Sequence, residues 1–259
     1  MSRKEKKTKK YNKRIIIIRI VLIIIFISAT TYSLIYFYNG KDKEQYEDLD
    51  KEIIIEDTIK ETPKKNSELV EKVIELQQEY ADIKGWIRIN DTIIDYPLLQ
   101  GIDNEHYISH NYKKETSKYG SIILDCNSDI KNPNENVIIY GHYMKDKYMF
   151  GELLNYKEKA FYDSHPVVTI ATDEEETEYQ IMYVFLSRVF YQSDTDVFRY
   201  YYYYNFENET IYNEYLDNCK ALSLYDTGVT AEFGNQLITL ITCEYSMENG
   251  RLVVVAKKI

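Results

Sequence analysis

Several features are scarce in this chain of 259 residues, and each scarcity narrows what the chain can be. It has no excess of basic residues: 42 Asp and Glu outnumber 32 Lys and Arg, a formal charge of −10 that gives no footing for nucleic acid. Only three cysteines occur, too few for a disulfide framework, and Cys126 and Cys219 read as free thiols with a mutual disulfide as the alternative. A single Trp stands against 27 Tyr, a bias read as genome composition more than function. No internal repeat is visible. His106 and His110 are four apart but sit in a loop-like stretch without the Glu of a zinc-protease motif, so no metal is assigned to them.

What is present begins with an apolar run. From Ile15 to Tyr38 only Arg19 and a few small or polar residues interrupt it, enough length to cross a bilayer as a helix. Eight Lys and Arg precede it within residues 1–14, whereas Asp42, Glu44, Glu47, Asp48 and Asp50 mix with Lys41 and Lys43 beyond it. The positive-inside rule then places the tail in the cytoplasm and the rest of the chain outside the cell. A cleaved signal peptide is the rival reading, and no clear small-residue cleavage pattern follows the apolar core. The expected organisation is a basic tail at 1–14, a membrane span at 15–38, a charged stalk at 39–66 and a domain over 67–259.

Within that domain a helix is expected from Ser67, with Ser as its cap and Gly85 as its stop, and a second over 208–222. Short strand signals recur at 86–89, 93–96, 121–124, 137–140, 167–170, 179–188, 237–243 and 252–256. Many short strands with few helices give a mainly β fold, a closed or nearly closed barrel with a few peripheral helices.

The chemistry concentrates at strand ends. Cys243 closes the strand "LITLITC", Asn249-Gly250 is a hairpin-turn signal, and Arg251 opens the next strand, so both side chains come to the same end of one sheet. His142 follows the strand "NVIIY" and a Gly, at another strand end. A thiolate attacks carbonyls, an Arg that never loses its charge stabilises the resulting oxyanion, and an imidazole moves the proton. A lone Cys ending an apolar strand is more often an inert core thiol, so it is the joint presence of the three that argues for catalysis.

"TLITCE" followed by "GRLVVVAKK", with "VIIYGH" upstream, resembles the sortases, and specifically the class B sortases of Gram-positive bacteria. "GWIRINDTIIDYPLLQGIDNEHYISHNY" and "YGSIILDCNSD" are similar to that family's first strands in the same order. The resemblance implies a sortase-type barrel and a catalytic triad of His142, Cys243 and Arg251. It implies further that Asn104, Ile108, Tyr140, Phe198 and Ile241 line or border the groove for a sorting-signal peptide. Ile241 departs from the small hydroxyl residue usual two before the Cys, and Cys126 stands where relatives tend to have an aromatic residue. The implied activity is that of a membrane-anchored cysteine transpeptidase. It cleaves a C-terminal sorting signal at its Thr through a thioacyl enzyme and transfers the protein to a peptidoglycan amine. No metal or organic cofactor is implied. The partners are sorting-signal-bearing surface proteins, a peptidoglycan precursor or stem-peptide amine, and the lipid bilayer. A thiol hydrolase without transfer, a pilin-polymerising sortase and a non-catalytic surface module remain as alternatives. A papain-like protease is disfavoured because the Cys follows the His and no papain signature surrounds it.

Overall fold

A computed structural model describes residues 21, 23–36 and 67–259. The chain divides into two compact units, residues 1–57 and 58–259. The expected tail (1–14), the expected stalk (39–66) and the ends of the expected span lie outside the described residues. In the first unit residues 23–36 are helical (α1). Its hydroxyls bond within the helix: Ser28 Oγ donates to the Ile25 carbonyl at 2.8 Å and Thr31 Oγ1 to that of Ile27 at 2.6 Å. Among the described residues no helix is long and apolar enough to cross a membrane.

The second unit opens with α2 (Glu68–Glu79), capped by Ser67, whose hydroxyl accepts from Val70 N. The helix ends at Glu79 without a glycine. Gly85 instead lies inside β1 (Ile83–Arg88), beside a register shift in the pairing with β2 (Asp95–Leu99). A Cβ there would come within 2.6 Å of the Ala171 carbonyl, so the glycine serves close strand packing rather than helix termination. The remaining strands are β3 (Ile122–Leu124), β4 (Asn136–Gly141), β5 (Val167–Ala171), β6 (Glu176–Arg188), β7 (Leu237–Cys243) and β8 (Gly250–Lys258). They close into a barrel in the order β1-β2-β3-β4-β7-β8-β6-β5. The mainly β barrel expected from the strand pattern is thus the fold.

Two neighbouring pairs are parallel, β2 with β3 and β4 with β7. Parallel neighbours need crossover connections, and the two crossovers here build the site. The first carries the 3-10 helix His106–Ile108. The second, much longer, includes the short helix α3 (Lys159–Ser164), β5, β6, the 3-10 helix Tyr200–Tyr202 and α4 (Glu209–Leu222).

Asn208 caps α4, its side chain accepting from Ile211 N at 3.1 Å. The helix then buries Tyr212, Tyr215, Leu216 and Cys219 at helical spacing. This stripe packs on the outer face of β4, β7, β8 and β6, with Ile138, Ile241, Val253 and Phe185 in one buried cluster. Each such side chain contributes on the order of 1.5–3 kcal/mol by leaving water. Tyr215 also shares a buried hydroxyl pair with Thr239 on β7 (3.1 Å), which fixes α4 against the strand that ends in Cys243.

Candidate active site

The register of three adjacent strands places the three candidate catalytic residues. Cys243 and Arg251 are directly opposite in the antiparallel pair β7/β8. Gly141 pairs with Thr242 across β4/β7, so His142, the next residue, comes level with Cys243. Side chains alternate along a strand, and Ile241 and Val253 already face α4, so Cys243 and Arg251 continue that same face. The hairpin between β7 and β8 depends on two residues. Asn249 has φ +54, and a Cβ on Gly250 would lie 2.3 Å from the Glu244 carbonyl. Arg251 Nη1 donates to the Gly250 carbonyl at 2.8 Å and to that of Asn249 at 3.3 Å, which sets the guanidinium against the turn.

Gly141 has an equally local reason. A Cβ there would meet the Phe150 ring at 2.4 Å and Ile122 at 2.7 Å, so the strand before His142 packs too closely for any side chain. The His142 ring is then held from the first crossover: its Nε2 lies 2.7 Å from the Ile108 carbonyl. A carbonyl only accepts, so Nε2 carries the proton and Nδ1 is left for proton exchange.

Asn104, Ile108, Tyr140, His142, Ile241, Cys243 and Arg251 all line one cleft of about 330 Å3. Phe198 does not line it. Its ring packs among Tyr200, Tyr203 and Tyr215 under α4, and it borders a separate depression with Leu186 and Leu222. The 3-10 helix turns Tyr200 and Tyr201 toward the cleft instead. A run of five tyrosines marks this segment in the sequence, but periodicity alone does not say which of them face inward.

Sequence reasoning also missed Asp125, which directly follows β3 and is 1% exposed. Its Oδ2 accepts from Asn104 Nδ2 at 2.8 Å and from the Tyr140 hydroxyl at 2.9 Å, while Oδ1 accepts from Asn127 N at 2.8 Å. Asn104 Oδ1 accepts in turn from Cys126 N at 2.8 Å. Both ends of the Asn104 amide are therefore defined by partners that can only accept or only donate. Burial, and then the Asp125 carboxylate, push the Tyr140 phenol far above its ordinary range, so it stays protonated.

The residue after Cys243 anchors the hairpin loop. Glu244 accepts from Lys157 Nζ at 3.0 Å and from Ser246 N at 2.8 Å. Burial raises its pKa, but the Ser246 and Lys157 contacts outweigh it and hold the carboxyl below its ordinary value. All three thiols are free. Burial pushes the Cys219 thiol far up, and burial followed by Asp125 raises that of Cys126, so neither favours the thiolate. His106 and His110 stack face to face at 4.2 Å, with His110 Nδ1 on the His106 carbonyl at 2.8 Å.

Comparison with known proteins places the chain in a family. The sortase domain family matches residues 87–259. Sortase B of Listeria monocytogenes is 37% identical over 196 residues, covering 75% of this chain and 76% of that protein. Sortase B of Staphylococcus aureus is 32% identical over 252 residues, covering 95% and 98%. A Staphylococcus aureus sortase B–substrate complex superposes with a TM-score of 0.72 at 28% identity, covering 86% of this chain and 98% of the other. With a barrel of this topology and a family match over two thirds of its length, the chain belongs to the sortase family and is a class B sortase, a transpeptidase by kind.

Proposed function

We propose that this sortase is anchored in the cell membrane by a single span over 15–38, with its N-terminus cytoplasmic and its catalytic domain outside, and that it attaches surface proteins to the wall. Cys243 passes its thiol proton to His142 Nδ1 and, as the thiolate, attacks the Thr carbonyl of a C-terminal sorting signal. The carbonyl's π electrons move to its oxygen, where Arg251 stabilises the charge. The C–N bond then breaks, and His142 delivers a proton to the leaving amine. The resulting thioester is resolved by a peptidoglycan amine, whose proton returns to His142. Asn104, Tyr140, Ile108 and Ile241 hold the peptide along the cleft, and the chemistry calls for no cofactor.

The observation that carries this reading is the strand register: Cys243 opposite Arg251, and His142 one residue past the Gly141–Thr242 pair, around one cleft. The membrane assignment is supported by the long apolar run, broken by Arg19 near one end and a few small or polar residues, and by the basic tail before it. Hydroxyls of α1 that bond to their own helix also suit a medium without water.

Incubating the full chain in detergent with Thr-containing sorting peptides, with and without an amine acceptor, tests the chemistry. Wild type should release the peptide's tail and form an amine adduct, and Cys243→Ala should do neither. Cleavage retained by Cys243→Ala would refute the nucleophile, whereas cleavage that never yields an adduct would make the chain a thiol hydrolase. Protease added to wall-stripped cells should digest the domain, and its protection would reverse the topology.

A further inference from the structure

Among the described residues, three buried side-chain polar atoms have no hydrogen-bond partner: Asp173 Oδ1, the Tyr200 hydroxyl and Thr242 Oγ1. Asp173 satisfies its other oxygen with Lys131 Nζ at 2.6 Å, near a surface turn. Thr242 alternates with Ile241 and Cys243 along β7 and so belongs to the opposite face of the strand. Tyr200 is different. It is 0% exposed, lines the cleft together with Cys243 and Arg251, and shares the buried cluster of Ile241 and Val253 on the face that ends in those two residues. Its ring is fixed edge-on against Phe185 of β6 (5.7 Å, 87°) and against Tyr201 (5.0 Å, 83°). A buried hydroxyl left unpaired costs on the order of 1–3 kcal/mol. One that is retained at the wall of a reaction cleft, on a ring that cannot swing away, fits a partner that arrives with the substrate.

We propose that Tyr200 is a further catalytic residue of this transpeptidase, its hydroxyl donating a hydrogen bond beside Arg251 to the carbonyl oxygen that Cys243 attacks. The proposal rests on the assignment of Cys243 as nucleophile. As the S–C bond forms, the carbonyl π pair moves onto oxygen; Tyr200 donates to that oxygen and keeps its proton, and the negative charge leaves when the carbonyl re-forms and the amine departs. Burial raises the phenol's pKa, and the nearby positive charge of Arg251 opposes this without bringing it into the neutral range, so the hydroxyl stays a donor.

Tyr200→Phe removes only the oxygen, and steady-state turnover of a sorting peptide by the full chain in detergent tests it. We expect kcat to fall about a hundredfold, with KM within about twofold of wild type, because the bond strengthens only as charge develops. The melting temperature should hold or rise, since the variant deletes an unpaired group, and alkylation of Cys243 by iodoacetamide should be unchanged. Wild-type kcat, a raised KM with kcat intact, or slowed alkylation would each overturn the assignment. A second measurement uses a peptide whose scissile carbonyl oxygen is replaced by sulfur, a weaker acceptor. There the wild-type to Tyr200→Phe ratio should shrink toward one, and an unchanged ratio would overturn the proposal. Cys243→Ala in the same assay separates the two claims: turnover by that variant refutes the nucleophile itself, whereas an inactive Cys243→Ala beside a fully active Tyr200→Phe refutes only the role of Tyr200.

Discussion

The Ile108 carbonyl holds the His142 ring by accepting from Nε2 at 2.7 Å, so a backbone group from the first crossover does what a carboxylate or amide side chain does in many nucleophilic triads. The carbonyl itself lies where only a glycine leaves room for it. Gly120 has φ +58, and a Cβ there would lie 2.3 Å from the Ile108 oxygen and 2.8 Å from that of Tyr107.

Gly120→Ala should therefore act on catalysis through His142, although it touches neither substrate nor sulfur. The strained backbone should lower stability by about 1–3 kcal/mol. Displacing the carbonyl should also reduce kcat by about tenfold or more, because the ring loses its fixed tautomer. Nitrogen chemical shifts of the His142 ring should report a mixture of tautomers where wild type shows one. A variant that melts lower but keeps wild-type kcat and ring shifts would reduce the Ile108 contact to packing.

Asp125 offers a second handle, this time on substrate binding. In Asp125→Asn one acceptor oxygen becomes an NH2 group, which at the Oδ2 position faces both the Asn104 amide and the Tyr140 hydroxyl and at the Oδ1 position faces Asn127 N, donor against donor either way. The expected result is a KM for the sorting peptide raised about tenfold, as one misplaced hydrogen bond predicts, with little change in kcat. Steady-state kinetics decide: a fall in kcat at constant KM would place Asp125 in the chemical step instead.

The pH dependence of stability should carry the mark of Glu244. Its folded pKa lies below the ordinary value of 4.5, so its contribution is complete above 4.5 and is lost as pH falls through the lower folded value. Glu244→Gln should be less stable than wild type at neutral pH by about 1–3 kcal/mol. The two melting curves should converge as pH drops below 4.5. Curves that stay parallel down to low pH would show that the Lys157 and Ser246 contacts contribute nothing.

Much of the site could be read from the chain because its parts are local. β7 and β8 are apolar runs joined by a short loop that closes on Asn249, at φ +54, and on Gly250, where a Cβ would lie 2.3 Å from the Glu244 carbonyl, and that short loop sets Cys243 against Arg251. His142 could be grouped with them from its own strand end and its chemistry, but not its level along the sheet, since β4 and β7 are separated by about a hundred residues and meet only through the barrel. Contacts made across crossovers were out of reach. Nothing in the composition of 104–126 says that Asp125 turns inward to hold Asn104 and Tyr140. The misplacement of Phe198 has a related origin: a 3-10 turn begins at Tyr200, and its three-residue period exchanges which aromatic rings face the cleft. Gly85 misled as a helix stop because glycine serves close strand approach as readily as it ends helices.

Closure of the barrel by β1 against β5 has a consequence for how a peptide can be held. An open sheet edge would let an extended segment dock by main-chain pairing, a mode that grips almost any sequence. The eight strands here satisfy one another all the way round, so a peptide cannot join as a ninth strand. Its backbone must be met by side chains and crossover loops, and selectivity among the proteins of a crowded surface then rests on a few groups standing proud of an otherwise self-contained wall.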